Sequence, residues 1–247
     1  MTRLNETRIG ALLTEPFGAS FTRSAAMSRH AEHGASVLVG LDADLVVRGD
    51  ERTARGRVVV VPPDAPYEAT CPGPVASYVF DPELCPRIAG CARARGGPRP
   101  VDGVAGAHIA GAAVAHRAAL ERPDVLAGVG GEIQRALASG TARAFDRRIA
   151  RLVEALRDPD ADRDAATART RLSAAHLQAL FARDVGISMR TYRLWRRLLH
   201  GLARVGPLDL TAAAHAAGFA DLAHFSRTCR RMFGYAPSVL RANLVSG

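Results

Sequence analysis

The sequence predicts an α+β chain: a β-rich N-terminal domain, a helical connecting region and an all-helical C-terminal domain. Three observations lead there. Between residues 20 and 80, short β-branched runs alternate with Gly, Asp and Pro. From residue 145 onward, apolar residues recur at helical spacing, and part of that segment repeats itself 48 residues further on. Charge divides along the same line. Residues 1–140 hold 15 arginines and 15 acidic residues, whereas residues 141–247 hold 18 and 9, so the whole net charge of +9 lies in the helical part. An excess placed in this way points to an acidic partner, nucleic acid or anionic lipid.

Bulk properties narrow the class further. A chain of 247 residues is long enough to bury a real core. It has no run of about 18 uncharged apolar residues, and its first residues lack the apolar stretch of a secretory signal. A cytoplasmic protein without a membrane span is therefore expected. Four cysteines with no CxxC pair indicate neither a disulfide scaffold nor a structural zinc site.

The β-rich domain is assigned to residues 1–81. Its strands are read in SFTRSAAM, SVLVGL, DLVVRG, GRVVVVP and VASYVF, with a hairpin turn at Gly49-Asp50. Residues 82–140 are assigned as linker and dimerisation helices. PELCPRIAGCARARGGPRP, rich in Pro, Gly and Arg, reads as the linker. Two helices follow. In the first, Val104, Ile109 and Val114 are taken as the apolar face; in the second, Val125, Val129, Ile133 and Leu137 recur every four residues. Gly130-Gly131 should weaken that second helix by about 1 kcal/mol per glycine.

The helical domain is assigned to residues 141–247. FDRRIARLVEAL puts Ile149, Leu152, Val153 and Leu156 on one stripe, and four more helical stretches follow before the stretch beginning at Asp221. Shifted by 48 residues, HLQALFARDVGISMRTYR (176–193) lies over HFSRTCRRMFGYAPSVLR (224–241). His176 meets His224, Arg183 meets Arg231, Gly186 meets Gly234 and Arg193 meets Arg241. Each glycine falls where a left-handed C-cap belongs, and Ser173 and Asp221 stand where N-caps belong. Two helix-turn-helix units result, over about 162–186 and 208–234, joined by a helix from Ser188 to Arg204 whose Arg193, Arg196 and Arg197 are read as facing solvent or phosphate.

These residues, above all AAHAAGF and the downstream RRMFG, resemble the DNA-binding domain of AraC/XylS-type transcription regulators. The resemblance implies two recognition helices, at 174–184 and 221–233, entering successive major grooves. Carried over by motif, the base-reading positions are Ala175, Gln178 and Ala179 in the first helix and Ala223 and Arg227 in the second, flanked by His176 and His224. Gln suits adenine and Arg suits guanine N7/O6. Ser173, Arg183, Arg193, Arg230 and Arg231 are expected to touch phosphate. The first unit departs from the pattern, because TARTRLS lacks the glycine of AAHAAGF.

In the N-terminal domain, Gly56, Pro62, Asp64, Tyr67 and Cys71 keep the spacing of the second cupin motif, with Asp64, Tyr67 and Cys71 replacing its Gly, His and Asn. HAEH (30–33) stands for the first motif. This resembles the cupin-like effector domain that AraC-type regulators carry, with His30, His33, Tyr67 and Cys71 as candidate effector-binding residues. Tyr67 in place of the last ligand argues against a catalytic metal, so neither an enzyme nor a cofactor is expected. The implied partners are double-stranded promoter DNA, a small-molecule effector, RNA polymerase and a second copy of the chain. Two alternatives stay open: a thiol- or metal-responsive regulator using His30, His33, Cys71, Cys85 and Cys91, with Arg87, Arg93 and Arg95 near the last two, and a cupin-type metalloenzyme with a DNA-binding tail.

Overall fold

The structure is a computed structural model; it describes residues 8–241 apart from 24, 94, 95, 140, 141, 143, 159 and 160. The chain divides into two compact units, Met1–Ala142 with Ser226–Gly247, and Arg143–Phe225.

The first unit is built on two antiparallel sheets. One has six strands in the order β1 (Arg8–Leu13), β2 (Phe17–Thr22), β9 (Val75–Phe80), β4 (Ala35–Gly40), β7 (Val58–Val61) and β10 (Arg99–Pro100). The other has β3 (Ala25–His30), β8 (Tyr67–Cys71), β5 (Leu45–Gly49) and β6 (Thr53–Gly56). The predicted hairpin turn is present: Arg48 pairs with Thr53, and the Gly49 amide donates to the Arg52 carbonyl at 2.8 Å. SFTRSAAM, read as one strand, is divided between β2 and β3, which belong to different sheets.

Side-chain alternation explains why the six-stranded sheet can be apolar on both faces. Leu38, Val59, Val61 and Val75 point to one side and share a core with Leu45, Val47, Ala69 and Cys71 of the second sheet. Val37, Val39, Val58, Val60, Tyr78 and Phe80 point to the other side, where helices cover them. Those helices are α1 (Pro86–Arg93), α2 (Gly103–Ala115) and α3 (Pro123–Ala136). Helices α1, α2 and α3 thus build the core of this unit instead of linking it to the next. Ile88, Ala89 and Ala92 of α1, within the stretch read as linker, are buried against the sheet.

The expected face of α2 is not the one used. Ile109 is buried together with Gly106 and Ala113, whereas Val104 is 89% exposed and Val114 is 43% exposed. Steps of five residues turn an α-helix through about 140° net, so these three apolar residues cannot share a face. In α3 the interval of four holds, with Val129, Ile133 and Leu137 buried and Leu126 beside them. Gly130 does not interrupt this helix. A Cβ there would lie 2.2 Å from the Phe17 ring, so the missing side chain is what lets α3 rest on β2.

The second unit is helical: α4 (Arg147–Arg157), α5 (Arg163–Ala168), α6 (Ala174–Val185), α7 (Met189–Leu202), α8 (Leu210–Ala216) and the beginning of α9 (Leu222–Phe233). The predicted stripe of α4 is buried in full, against Ala166 of α5, Leu177, Leu180 and Phe181 of α6, and Met189 and Tyr192 of α7. Phe181 and Tyr192 meet edge to face at 5.6 Å. The remainder of α9 and the short helix α10 (Pro237–Arg241) are assigned to the first unit, where the Ser28 hydroxyl donates to the Gly234 carbonyl at 2.9 Å. Among the described residues, no helix is long and apolar enough to cross a membrane.

Candidate nucleic-acid interface

The repeat seen in the sequence is reproduced in helix boundaries. Helices α6 and α9 are both 12 residues long, and both ends are displaced by 48 residues. Helices α5 and α8 end at Ala168 and Ala216, again 48 apart. Local chemistry fixes these limits. The Ser173 hydroxyl accepts the His176 amide at 3.4 Å, and Asp221 accepts the His224 amide at 2.6 Å, each satisfying an amide that has no partner inside its helix. At the far ends Gly186 (φ +99°) and Gly234 (φ +76°) take the left-handed conformation that stops the helix. Asp209 does for α8 what Ser173 does for α6, accepting from Thr211 and Ala212 at 2.9 and 2.8 Å.

The first unit solves its turn without a glycine. In the second unit the turn before α9 uses Gly218 at φ +73°. In the first, Arg171 occupies the left-handed region at φ +54°, and the Thr170 hydroxyl braces the turn by donating to the Thr167 carbonyl at 2.8 Å.

The base-reading candidates lie on the outward arcs of their helices. On α6, Ala175, His176, Gln178 and Ala179 are exposed while Leu177, Leu180 and Phe181 are buried. On α9, Ala223, Arg227, Arg230 and Arg231 are exposed, while Phe225, Thr228, Cys229 and Met232 are buried. His224 is half-buried, with its imidazole against the edge of Phe219 at 5.1 Å. Other candidates have intramolecular partners. The Ser173 hydroxyl serves as the N-cap. Arg183 pairs with Asp184 at 2.7 Å, and its guanidinium is held above its ordinary value by that carboxylate. Arg193 is half-buried on α7.

Two residues in this domain escaped the sequence reading. Asp184, 1% exposed, accepts the Asp146 backbone amide at 2.7 Å besides the Arg183 fork, tying the start of α4 to the end of α6. Arg197, read from sequence as facing solvent or phosphate, donates through Nε to the Ala217 carbonyl at 3.2 Å and through Nη2 to the Gly218 carbonyl. An acid directly after an arginine near a helix end was a usable clue for the first; nothing in the sequence marks the second.

The candidate effector residues separate into two places. His30 and Tyr67 pair across β3 and β8, with ring centroids 4.5 Å apart. Between them and β4 lies the buried Glu32 carboxylate, which accepts from the Tyr67 hydroxyl at 3.0 Å and from Ser36, and sits 3.1 Å from His30 Nε2. Burial, with Glu32 adding to it, pushes the Tyr67 phenol well above its ordinary value. His33 is next to this group. Its Nδ1 faces Asp64 at 2.9 Å and its Nε2 faces Glu83 at 2.9 Å. Burial alone would lower the imidazole, but the two carboxylates outweigh it and raise it to about 9. Asp64, standing where the cupin motif has glycine, adopts φ +64°.

Cys71 is at the other end of β8, paired with Ala25 and about 13 Å along the strand from Tyr67. Cys85 and Cys91 are in the helical layer, where Gln134 approaches the Cys85 sulfur at 3.2 Å and Arg99 approaches the Cys91 sulfur at 2.8 Å. Of the arginines expected near them, Arg87 donates to the Ala138 carbonyl and Arg95 lies outside the described residues. All four cysteines are thiols, none of them joined in a disulfide. Among the described residues, no three His, Cys, Asp or Glu side chains are arranged to hold a metal ion.

A capped helix, a tight turn and a second helix with an exposed outward arc, present twice and in register, are the parts of a double helix-turn-helix, an arrangement suited to reading double-stranded DNA. Residues 166–243 match the helix-turn-helix domain family. The fold is shared with ToxT from Vibrio cholerae O395, at a TM-score of 0.58 and 9% identity over 93% of this chain and 99% of that one. It is shared also with ToxT from V. cholerae strain SCE256 carrying an unsaturated fatty acid, at a TM-score of 0.52 and 12% identity over 97% of each chain. No curated protein sequence matches the chain. Residues 166–243 are thus a helix-turn-helix domain, in a chain whose fold is the one seen in ToxT.

Proposed function

We propose that the chain is an AraC-type transcription regulator that binds promoter DNA as a homodimer in the cytoplasm, reading sequence with the outward arcs of both α6 and α9, and that it has no catalytic activity of its own. The observation that carries this reading is the pair of 12-residue helices, offset by 48 residues, capped alike and each exposing the arc that the resemblance assigns to base contact. Gln178 and Arg227 have the donor patterns for adenine and guanine. Arg230 and Arg231 supply phosphate contacts and hence a steep dependence on salt. The β domain takes a small-molecule effector at the end where His30, Glu32 and Tyr67 meet. Binding there biases the populations of DNA-competent and incompetent arrangements, and with them access to RNA polymerase.

Selection from a random DNA library with the purified full chain tests this. A defined motif should emerge. Arg227→Ala should then cost about 1–3 kcal/mol on that motif and relax the choice at one base pair. If no motif emerges, or if binding does not weaken with salt, the reading fails.

A further inference from the structure

The guanidinium of Arg197, on α7, closes on the turn of the second helix-turn-helix unit. Its Nε donates to the Ala217 carbonyl at 3.2 Å and its Nη2 donates to the Gly218 carbonyl. Those two carbonyls lie where α8 has ended, among groups with no acceptor role left inside the helix. A cation there also meets the negative end of the helix dipole. The same guanidinium lies over the Phe219 ring, 4.7 Å from its centroid. Phe219 in turn packs at 5.1 Å against both Phe225 and His224, in the first turn of α9. Burial, and Arg163 next to it, lowers the Arg197 guanidinium from its ordinary value.

One helical turn further along α7, Gly201 completes the seat. A Cβ at that position would stand 2.8 Å from the Phe225 ring and 3.1 Å from Ala217. The face of α7 formed by residues 197 and 201 is therefore shaped to the turn between α8 and α9. The fork holds its backbone and the glycine admits its aromatic ring.

We propose that Arg197 is a positioning residue for DNA reading: it fixes the α8–α9 turn on α7, and so the direction in which the second recognition helix sets out, without itself contacting phosphate. This rests on the DNA-binding function and assigns to Arg197 a role opposite to that of a solvated or phosphate-bound arginine. Lysine cannot replace it, because an ammonium has neither the planar fork for two carbonyls nor the flat surface for the ring.

The test uses the full chain and the DNA motif selected by the wild type. Affinity is measured by fluorescence anisotropy over a salt series for wild type, Arg197→Lys and Arg197→Met, with hydroxyl-radical footprints on the same DNA. Expected are a loss of roughly tenfold or more in both variants, an unchanged slope of log affinity against log salt, and protection lost over one half-site only. A slope reduced by about 0.9, the value for one phosphate contact, or full binding by the lysine variant, overturns the proposal. Should the methionine variant unfold, as the fluorescence of Trp195 would report, the lysine variant alone decides by the same slope. Failure of the wild type to select any motif would instead sink the DNA-binding reading.

Discussion

Replacing His33 with glutamine should remove a pH dependence from the stability of the β domain. In the folded state the imidazole is held between Asp64 and Glu83, each 2.9 Å away, and stays protonated to about pH 9, against an ordinary value of 6.5. At about 1.4 kcal/mol per pH unit, that gap makes the protonated cluster worth about 3 kcal/mol. The sign follows from the direction. A folded-state value above the unfolded one means that the contribution is complete below pH 6.5, declines as the pH rises, and is gone above about 9. Glu83 bears on the same window. Burial raises its carboxyl and the His33 imidazolium opposes that, so Glu83 left without the cation is a buried charge with Asp81 as its other close acid. Urea unfolding followed by far-UV circular dichroism, at pH 6 and pH 10, measures the effect. Fluorescence of Trp195, the single tryptophan, reports the helical unit separately. Wild type should lose most of the 3 kcal/mol between the two conditions, and His33→Gln should be weaker at pH 6 but close to wild type at pH 10. Equal differences between the two proteins at both pH values would refute the argument.

Two further substitutions probe the helical unit. Arg171→Gly should stabilise it by about 0.5–1 kcal/mol, since a left-handed non-glycine residue costs about 1–2 kcal/mol and the added chain entropy of glycine returns part of that; a Trp195 urea midpoint at or below wild type would count against the turn at φ +54°. Gly201→Val should destabilise the same unit by about 1–3 kcal/mol through collision with Phe225 and Ala217, which a Cβ at position 201 would approach to 2.8 and 3.1 Å, and an unchanged midpoint would mean that α7 does not rest so closely on this turn.

What was legible in the sequence was whatever local chemistry determines. The limits of α6 and α9 follow from Ser173, Asp221, Gly186 and Gly234, residues whose cap preferences act over three or four positions. The stripe of α4 was legible because strong apolar residues stand against arginines. In α2, alanine and glycine give so little contrast that Val104 and Val114 misled, although both point outward. Strands β1, β6 and β8 passed unnoticed because they are short and mix polar with apolar residues. Motif spacing singled out Tyr67 and Cys71, but spacing alone does not show that they lie at opposite ends of one strand. The partners of Arg197 are backbone carbonyls 20 and 21 residues away, and backbone carbonyls leave no trace in a sequence.

The two helix-turn-helix units therefore share a scaffold but not a surface. The repeat preserves caps and buried positions, which is what a fold requires, while the outward arcs have diverged. On α6 the exposed candidates are Ala175, His176, Gln178 and Ala179, and Arg183 is engaged by Asp184. On α9 they include Arg227, Arg230 and Arg231. Small and neutral groups read a thymine methyl or one adenine edge, whereas arginines supply both phosphate attraction and guanine recognition. The division of labour follows from that chemistry. On the DNA-binding function proposed above, the second unit supplies both the phosphate anchor and guanine reading through Arg227, the first adds discrimination through Gln178, and α7, through Arg197 and Gly201, holds the turn from which α9 departs.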